Sequence, residues 1–191
     1  MAIETDITTE DAGATGLVRL GLAHLAIAGG LILLTGAAAA LPALQLGLAV
    51  AAGFVITTLI HEWFHLLGAW SSGGRFSIPA RIGLFTYNWD FPSNSTGQFF
   101  VMSIAGSIGS LVGIGLFWII GGSAGDAALA MIAGACASLG FAAAIEWPVL
   151  ARTARSGQPL EELAKINGRV LLTSLVISAA TGLLTFQLLG S

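Results

Sequence analysis

The stretch VITTLIHEWFHLLGAW, residues 55–70, decides the fold of this chain because it is apolar and yet carries ionisable side chains. His61, Glu62 and His65 lie within about one and a half turns of a helix. Ionisable side chains are costly inside a bilayer, where each of them is by default a candidate functional residue. The stretch therefore predicts a membrane-spanning helix that carries a polar site.

The composition supports a membrane location. The chain has 191 residues, of which 9% are charged, and its mean hydropathy is +0.89. Soluble domains carry about 25% charged residues. We therefore expect an integral membrane protein that contacts the lipid bilayer along most of its length. We expect no nucleic-acid partner, because the seven lysines and arginines form no basic patch.

The apolar stretches define the expected architecture, since a spanning helix needs about 20 apolar residues. We predict an all-α membrane protein with about five transmembrane helices and a short β-rich loop, residues 70–97, after the second. Residues 1–18 are expected to form a mobile acidic tail, and residues 19–191 a single transmembrane domain. The predicted spans are 19–40, 47–69, 98–121, 125–150 and 169–189.

The basic residues predict the orientation. With five spans, every lysine and arginine falls at one side of the membrane or its boundary, whereas Asp126 falls at the other. The positive-inside rule makes the basic side cytoplasmic. We therefore expect a cytoplasmic N-terminus and an outer C-terminus, in the inner (cytoplasmic) membrane of a prokaryote.

His61 and His65 are four residues apart, so their rings project from one helix face. This is the H-E-x-x-H pattern, in which two imidazoles bind Zn²⁺ and the glutamate is a general base. Zinc lowers the pKa of bound water towards 7, and Glu62 would move that proton to the leaving amine. The alternatives are that the histidines bind haem or a pigment, or that they only make hydrogen bonds between helices.

A catalytic zinc needs three protein ligands and one open position. Glu146, near the cytoplasmic end of the fourth span, is our first candidate for the third ligand; the alternative is an interfacial glutamate paired with Arg152 or Arg155. His24 is the second candidate, although it could simply pack between helices. Asp90 is the third, and reaches the site only if its loop folds back into the membrane.

These motifs resemble the site-2 protease family of intramembrane zinc metalloproteases. HEWFH, residues 61–65, is similar to the zinc motif of that family. GGRFSIPARIGLF, residues 73–85, resembles the β-rich segment that follows it, and IAGSIGS, residues 104–110, resembles the Ala-Gly-Pro-x-x-Asn element of the next helix. The resemblance covers roughly residues 50–150.

The resemblance implies an intramembrane zinc metalloendopeptidase that cleaves membrane-spanning protein substrates, and the depth of the motif places cleavage near the cytoplasmic face. It assigns zinc binding to His61 and His65 and the general base to Glu62. The loop 70–97 would either hold an unwound substrate segment by strand addition or only cap the helix bundle.

The chain departs from the family in its third ligand, because the Leu-Asp-Gly motif of the family is absent. Either Glu146 in IEWP takes the place of that aspartate, or RSG, residues 155–157, stands there and the ligand is lost. The second alignment predicts a catalytically inactive membrane subunit of a larger complex, structural or haem- or pigment-binding. The chain could form a homo-oligomer whether it is a protease or an inactive subunit.

Overall fold

Long apolar helices make up most of the chain in the structure, a computed structural model that describes residues 9–121 and 125–191. Five of the six α-helices in these residues are long and apolar enough to cross a membrane, as the sequence predicts, and α5 is a single short turn. The helices are α1 (Thr9–Ala37), α2 (Pro42–Ser71), α3 (Thr96–Gly121), α4 (Asp126–Ser156), α5 (Pro159–Leu163) and α6 (Gly168–Leu189).

The helix ends follow local sequence signals, but several lie beyond the predicted spans. Pro42 occupies the first turn of α2, where its missing N–H costs nothing. The helix α4 continues through Pro148 to Ser156 and ends at Gly157, which adopts a left-handed conformation. The side chain of Asn167 caps α6 by accepting hydrogen bonds from two backbone N–H groups.

The first helix begins earlier than predicted. It starts at Thr9, so residues 9–18, which we expected in the N-terminal tail, are helical. Residues 1–8 lie outside the described residues.

The loop between α2 and α3 contains less β-structure than predicted. Its two strands, β1 (Phe76–Ser77) and β2 (Asn88–Trp89), pair in antiparallel register, with Phe76 opposite Trp89. The rest of the loop is irregular, yet it is attached to the bundle. The hydroxyl of Thr86, which is fully buried, donates a hydrogen bond of 2.9 Å to the backbone oxygen of Glu62.

Helix α2 is the centre of the bundle and packs against α1, α3 and α4, while α6 packs against α4. Glycines allow the close approach of these backbones. A Cβ at Gly53 of α2 would overlap the backbone oxygen of Met131 in α4, and a Cβ at Gly134 of α4 would overlap that of Val50. This crossing fixes α4 against the helix that carries the two histidines.

Helix α3 approaches α2 in the same way. A Cβ at Gly109 would lie 2.6 Å from the Cβ of Phe64, and one at Gly113 would lie 3.1 Å from the side chain of Thr57. The Gly-x-x-x-Gly pair of α3 therefore packs inside the molecule, against α2. Large apolar side chains of α1 and α6 point outward instead, as expected for surfaces in contact with lipid.

An ion-paired group of charged residues connects the end of α4 to the short helix α5 and the turn after it. The Glu162 carboxylate on α5 accepts hydrogen bonds from Lys165 Nζ at 2.7 Å and from Arg152 Nε at 2.9 Å. Lys165 first, and Arg152 after it, hold the pKa of Glu162 below its usual range, and burial acts against them. Arg152 is thus paired with Glu162 and not with Glu146, which removes one of the two pairings considered for Glu146.

Candidate metal centre

Helix α2 presents both histidines of the HEWFH stretch on one buried face. The ring centroids of His61 and His65 are 4.4 Å apart, and the two rings are nearly perpendicular. Both side chains are buried, with 3% and 7% of the residue surface exposed. The spacing of four residues produces this arrangement, because such residues are neighbours on a helix surface.

Helix α4 brings the carboxylate of Glu146 to these histidines across 85 residues of chain. Its Oε1 atom lies 2.8 Å from His61 Nε2 and 3.1 Å from His65 Nε2. One potential ligand atom from each of the three side chains falls within 4.8 Å of the other two. His61, His65 and Glu146 therefore form a group that could hold a metal ion.

The other nitrogen of each histidine ring has its own partner. His65 Nδ1 lies 2.8 Å from the backbone oxygen of Met102, to which it must donate because a carbonyl can only accept. His61 Nδ1 lies 2.9 Å from the hydroxyl of Ser110, which is fully buried. Metal-binding histidines usually donate their second N–H in this way, which leaves the Nε2 lone pair for the metal.

The donor set fits a metal ion. With the His65 proton on Nδ1, the Nε2 lone pair faces a carboxylate oxygen, so a proton or a cation must lie between them. The Oε2 atom of Glu146 is buried and has no hydrogen-bond partner among the described residues. Ligand atoms about 2.0–2.2 Å from a tetrahedral metal are about 3.3–3.6 Å apart. The two distances to Oε1, 2.8 and 3.1 Å, need to widen by only about half an ångström to match this separation.

Glu62 is buried beside the group without belonging to it. Within residues 9–121 and 125–191, its carboxylate makes no hydrogen bond, although its backbone oxygen accepts one from Thr86. A carboxylate next to a metal ligand and without a fixed partner is available to take and release a proton. The general-base role of Glu62 stays a prediction from the H-E-x-x-H pattern.

The two other candidates for the third ligand lie elsewhere. His24 Nε2 lies 2.8 Å from the backbone oxygen of Gly83, and its Nδ1 accepts a hydrogen bond of 3.0 Å from Trp63 Nε1. His24 therefore connects α1, α2 and the loop. Asp90 lies beside the strand β2, where its backbone pairs with Arg75. Neither residue belongs to the His61, His65 and Glu146 group.

A glycine on α3 makes room for one of the ligands. A Cβ at Gly106 would lie 2.7 Å from His65 Nδ1 and closer still to Nε2. Only a residue without a side chain therefore lets α3 pass across the imidazole. Gly106 was not singled out from the sequence, and only the IAGSIGS stretch, in which it lies, drew attention to this part of α3.

The loop between α2 and α3 contributes the only tyrosine of the chain to the surroundings of the site. The ring of Tyr87 is 6.4 Å from that of His65, and its hydroxyl donates to Met102 Sδ at 2.8 Å. Burial raises the pKa of Tyr87, and the negative charges of Glu62 and Glu146 act in the same direction. Tyr87 therefore remains a neutral hydrogen-bond donor.

Comparisons with family models, with curated proteins and with solved structures find no match for this chain. The likeness to site-2 proteases thus depends on the sequence motifs alone.

Proposed function

We propose that this chain is an intramembrane zinc metalloendopeptidase that cleaves membrane-spanning protein substrates near the cytoplasmic face. The observation that carries the proposal is the convergence of His61, His65 and Glu146 on one point, with Glu62 beside them. With three protein ligands, a bound zinc would keep one position for water or substrate, as catalytic zinc sites do. The basic ends of the helices favour a cytoplasmic orientation of this end of the bundle.

The residues have separate roles in this proposal. Zn²⁺, when bound, supplies Lewis-acid activation of water and of the scissile carbonyl. His61, His65 and Glu146 hold the ion, while Ser110 and the backbone oxygen of Met102 orient the two rings. Glu62 accepts the proton of the attacking water and delivers it to the leaving amine.

The location of the site favours a substrate that is itself in the membrane. A helix in lipid satisfies its backbone groups internally, so cleavage requires a local unwinding that exposes the peptide bond. The two-stranded sheet lies beside the site: Trp89 of β2 lines the same cavity as His65, and Trp89 and Tyr87 pack against the apolar cluster that contains Phe99 and Met102 of α3. An unwound segment could pair with the outer edge of either strand.

Metal content and turnover test the proposal in detergent-purified protein. We expect one zinc per chain in the wild type and in His24→Ala, and none in Glu146→Ala. Glu62→Gln should keep the zinc and lose cleavage of single-pass model peptides reconstituted in liposomes, because the amide cannot accept the proton.

The alternative is a catalytically inactive subunit in which the same polar group only joins α2 to α4. The contacts of Glu146 Oε1 with both Nε2 atoms would then be hydrogen bonds shared with protonated histidine. Absence of zinc from the wild type after metal-replete purification would establish this alternative and end the protease proposal. Zinc without cleavage of any model peptide would leave a metal-binding subunit.

A further inference from the structure

A cavity of about 160 Å³ opens directly beside the candidate metal centre. Two of the three potential ligands, His65 and Glu146, form part of its wall. Nearly all the rest of the wall is apolar, with side chains from α3, α4, α5 and the loop that contains β2. The main apolar lining residues are Trp89, Phe99, Met102, Val149, Leu150 and Leu163.

The size and chemistry of this cavity limit what can occupy it. A dry cavity of about 150 Å³ lined by apolar side chains binds benzene. A charged group would lose its hydration here, and the only charged or imidazole side chains that the described residues place in the wall are those of His65 and Glu146. The cavity therefore suits one apolar side chain of about the size of leucine or phenylalanine.

The position of the cavity makes a substrate residue its natural occupant. His65 and Glu146 line the cavity, so a peptide whose carbonyl reached an ion held by these residues would bring its adjacent side chain to the cavity. A free apolar molecule could bind in any apolar cavity and would not need one that lies next to His65 and Glu146. Burial of an apolar side chain here would also hold an unwound segment in register.

We propose that this cavity is a specificity pocket that accepts a large apolar side chain next to the scissile bond of the substrate. The inference rests on the proposed zinc site, and it adds the class of residue at which cleavage occurs. Leu163 is the wall residue best suited to a test. It comes from the short helix α5, which carries none of the proposed metal ligands, and it is only partly buried, where it packs against the apolar cluster that contains Phe99 and Leu150.

The experiment compares two hydroxamates on zinc-loaded protein in detergent. Acetohydroxamate and 3-phenylpropionohydroxamate share the metal-binding group and differ in the side chain that would enter the cavity. We expect the phenyl compound to bind at least about tenfold more tightly, which corresponds to about 1.4 kcal/mol. Leu163→Trp should reduce this ratio at least about fivefold, because the indole fills the cavity.

Leu160 provides the matched control, since it lies on the same helix, is 56% exposed and does not line the cavity. Leu160→Trp should leave the ratio unchanged, and any effect of partitioning into detergent cancels between the two variants. If the Leu163→Trp variant no longer binds acetohydroxamate either, the Leu163→Ala variant is tested in its place. The enlarged cavity should then favour a naphthyl hydroxamate over the phenyl compound, relative to Leu160→Ala.

The outcomes separate the two proposals. If neither zinc nor acetohydroxamate binds, the metal centre itself is wrong and the pocket falls with it. If acetohydroxamate binds but both changes at Leu163 leave the ratios as in the controls, the metal centre stands and the pocket is refuted. A phenyl preference that disappears when phospholipid replaces detergent would show that a lipid acyl chain occupies the cavity, which also overturns the proposal.

Discussion

Replacing Gly106 by alanine is expected to weaken metal binding while the helix bundle stays folded. The new Cβ would lie 2.7 Å from His65 Nδ1 and closer to other ring atoms, whereas favourable contacts between nonbonded heavy atoms are about 3.5–4.0 Å. The ring must therefore move by about 1 Å, or α3 must withdraw from α2 by a similar distance.

The change should have a large effect on zinc binding and a small effect on the stability of the fold. Groups of a functional site must be held within about 0.5 Å of their working positions, so a movement of about 1 Å is too large. Loss of a residue that orients a metal ligand typically lowers the metal affinity about 10–100-fold. We expect the zinc affinity of Gly106→Ala to fall by about 10-fold or more. Overpacking costs about 1–3 kcal/mol, and replacing a helical glycine by alanine returns about 1 kcal/mol. The net loss of about 0–2 kcal/mol leaves a folded protein.

The assay is zinc binding against a chelator of known affinity, with thermal unfolding measured on the same samples. Gly115→Ala is the first control, because nothing lies within 4 Å of a Cβ at that position of the same helix. Gly109→Ala is the second, because its Cβ would push on Phe64 and not on a ligand. The reasoning is refuted if Gly106→Ala binds zinc normally. It is also refuted if Gly109→Ala lowers the affinity equally, since helix separation would then explain the loss.

Three further predictions concern the surroundings of the site. Ser110→Ala should lower the zinc affinity about 10–100-fold because His61 loses the partner of its second nitrogen; an unchanged affinity would show that Ser110 does not orient the ring. The absorbance of tyrosinate should be missing from the folded protein at pH 10–11 and appear on unfolding, because burial raises the pKa of Tyr87. The unfolded chain then releases this proton first, so stability should fall as the pH rises above about 10, and a normal titration of the folded protein would contradict this. Glu162→Gln should lower the unfolding temperature at pH 7, and the difference from wild type should shrink as the pH falls through the lowered pKa of Glu162. Glu161→Gln, an exposed change on the same helix, is the control, and an equal effect there would point to net charge instead.

The parts of the fold that the sequence predicts well are those that depend on local pattern. The five apolar helices follow from composition and length, and the shared face of His61 and His65 follows from their spacing. The sequence could suggest that Glu146 lies close to the two histidines only from its expected depth in the membrane. His24 is expected at the same depth, so depth alone does not distinguish the two residues. What distinguishes them is the rotation of each helix about its axis, which the packing of distant segments determines.

The residues that the sequence analysis missed act through such packing. Gly106, Ser110 and the backbone oxygen of Met102 all lie on the face of α3 that contacts α2. No local pattern shows that a backbone oxygen will accept a hydrogen bond from a ring 37 residues earlier. The repeated small residues of IAGSIGS are the one signal that was present, since they indicate a face of close helix contact.

Charge balance gives a reason to favour a metal over a purely hydrogen-bonded network. Two carboxylates, Glu62 and Glu146, are held near two imidazoles in a part of the molecule where unpaired charge is costly. A divalent cation neutralises both carboxylates while the histidines remain neutral. A hydrogen-bonded network reaches the same balance only with two added protons, and the histidines face Oε1 of Glu146 while Glu62 has no hydrogen-bond partner among the described residues. Because Glu146 would bind the ion directly and Glu62 would only lie beside it, removing the Glu62 charge should matter less to zinc binding than removing that of Glu146.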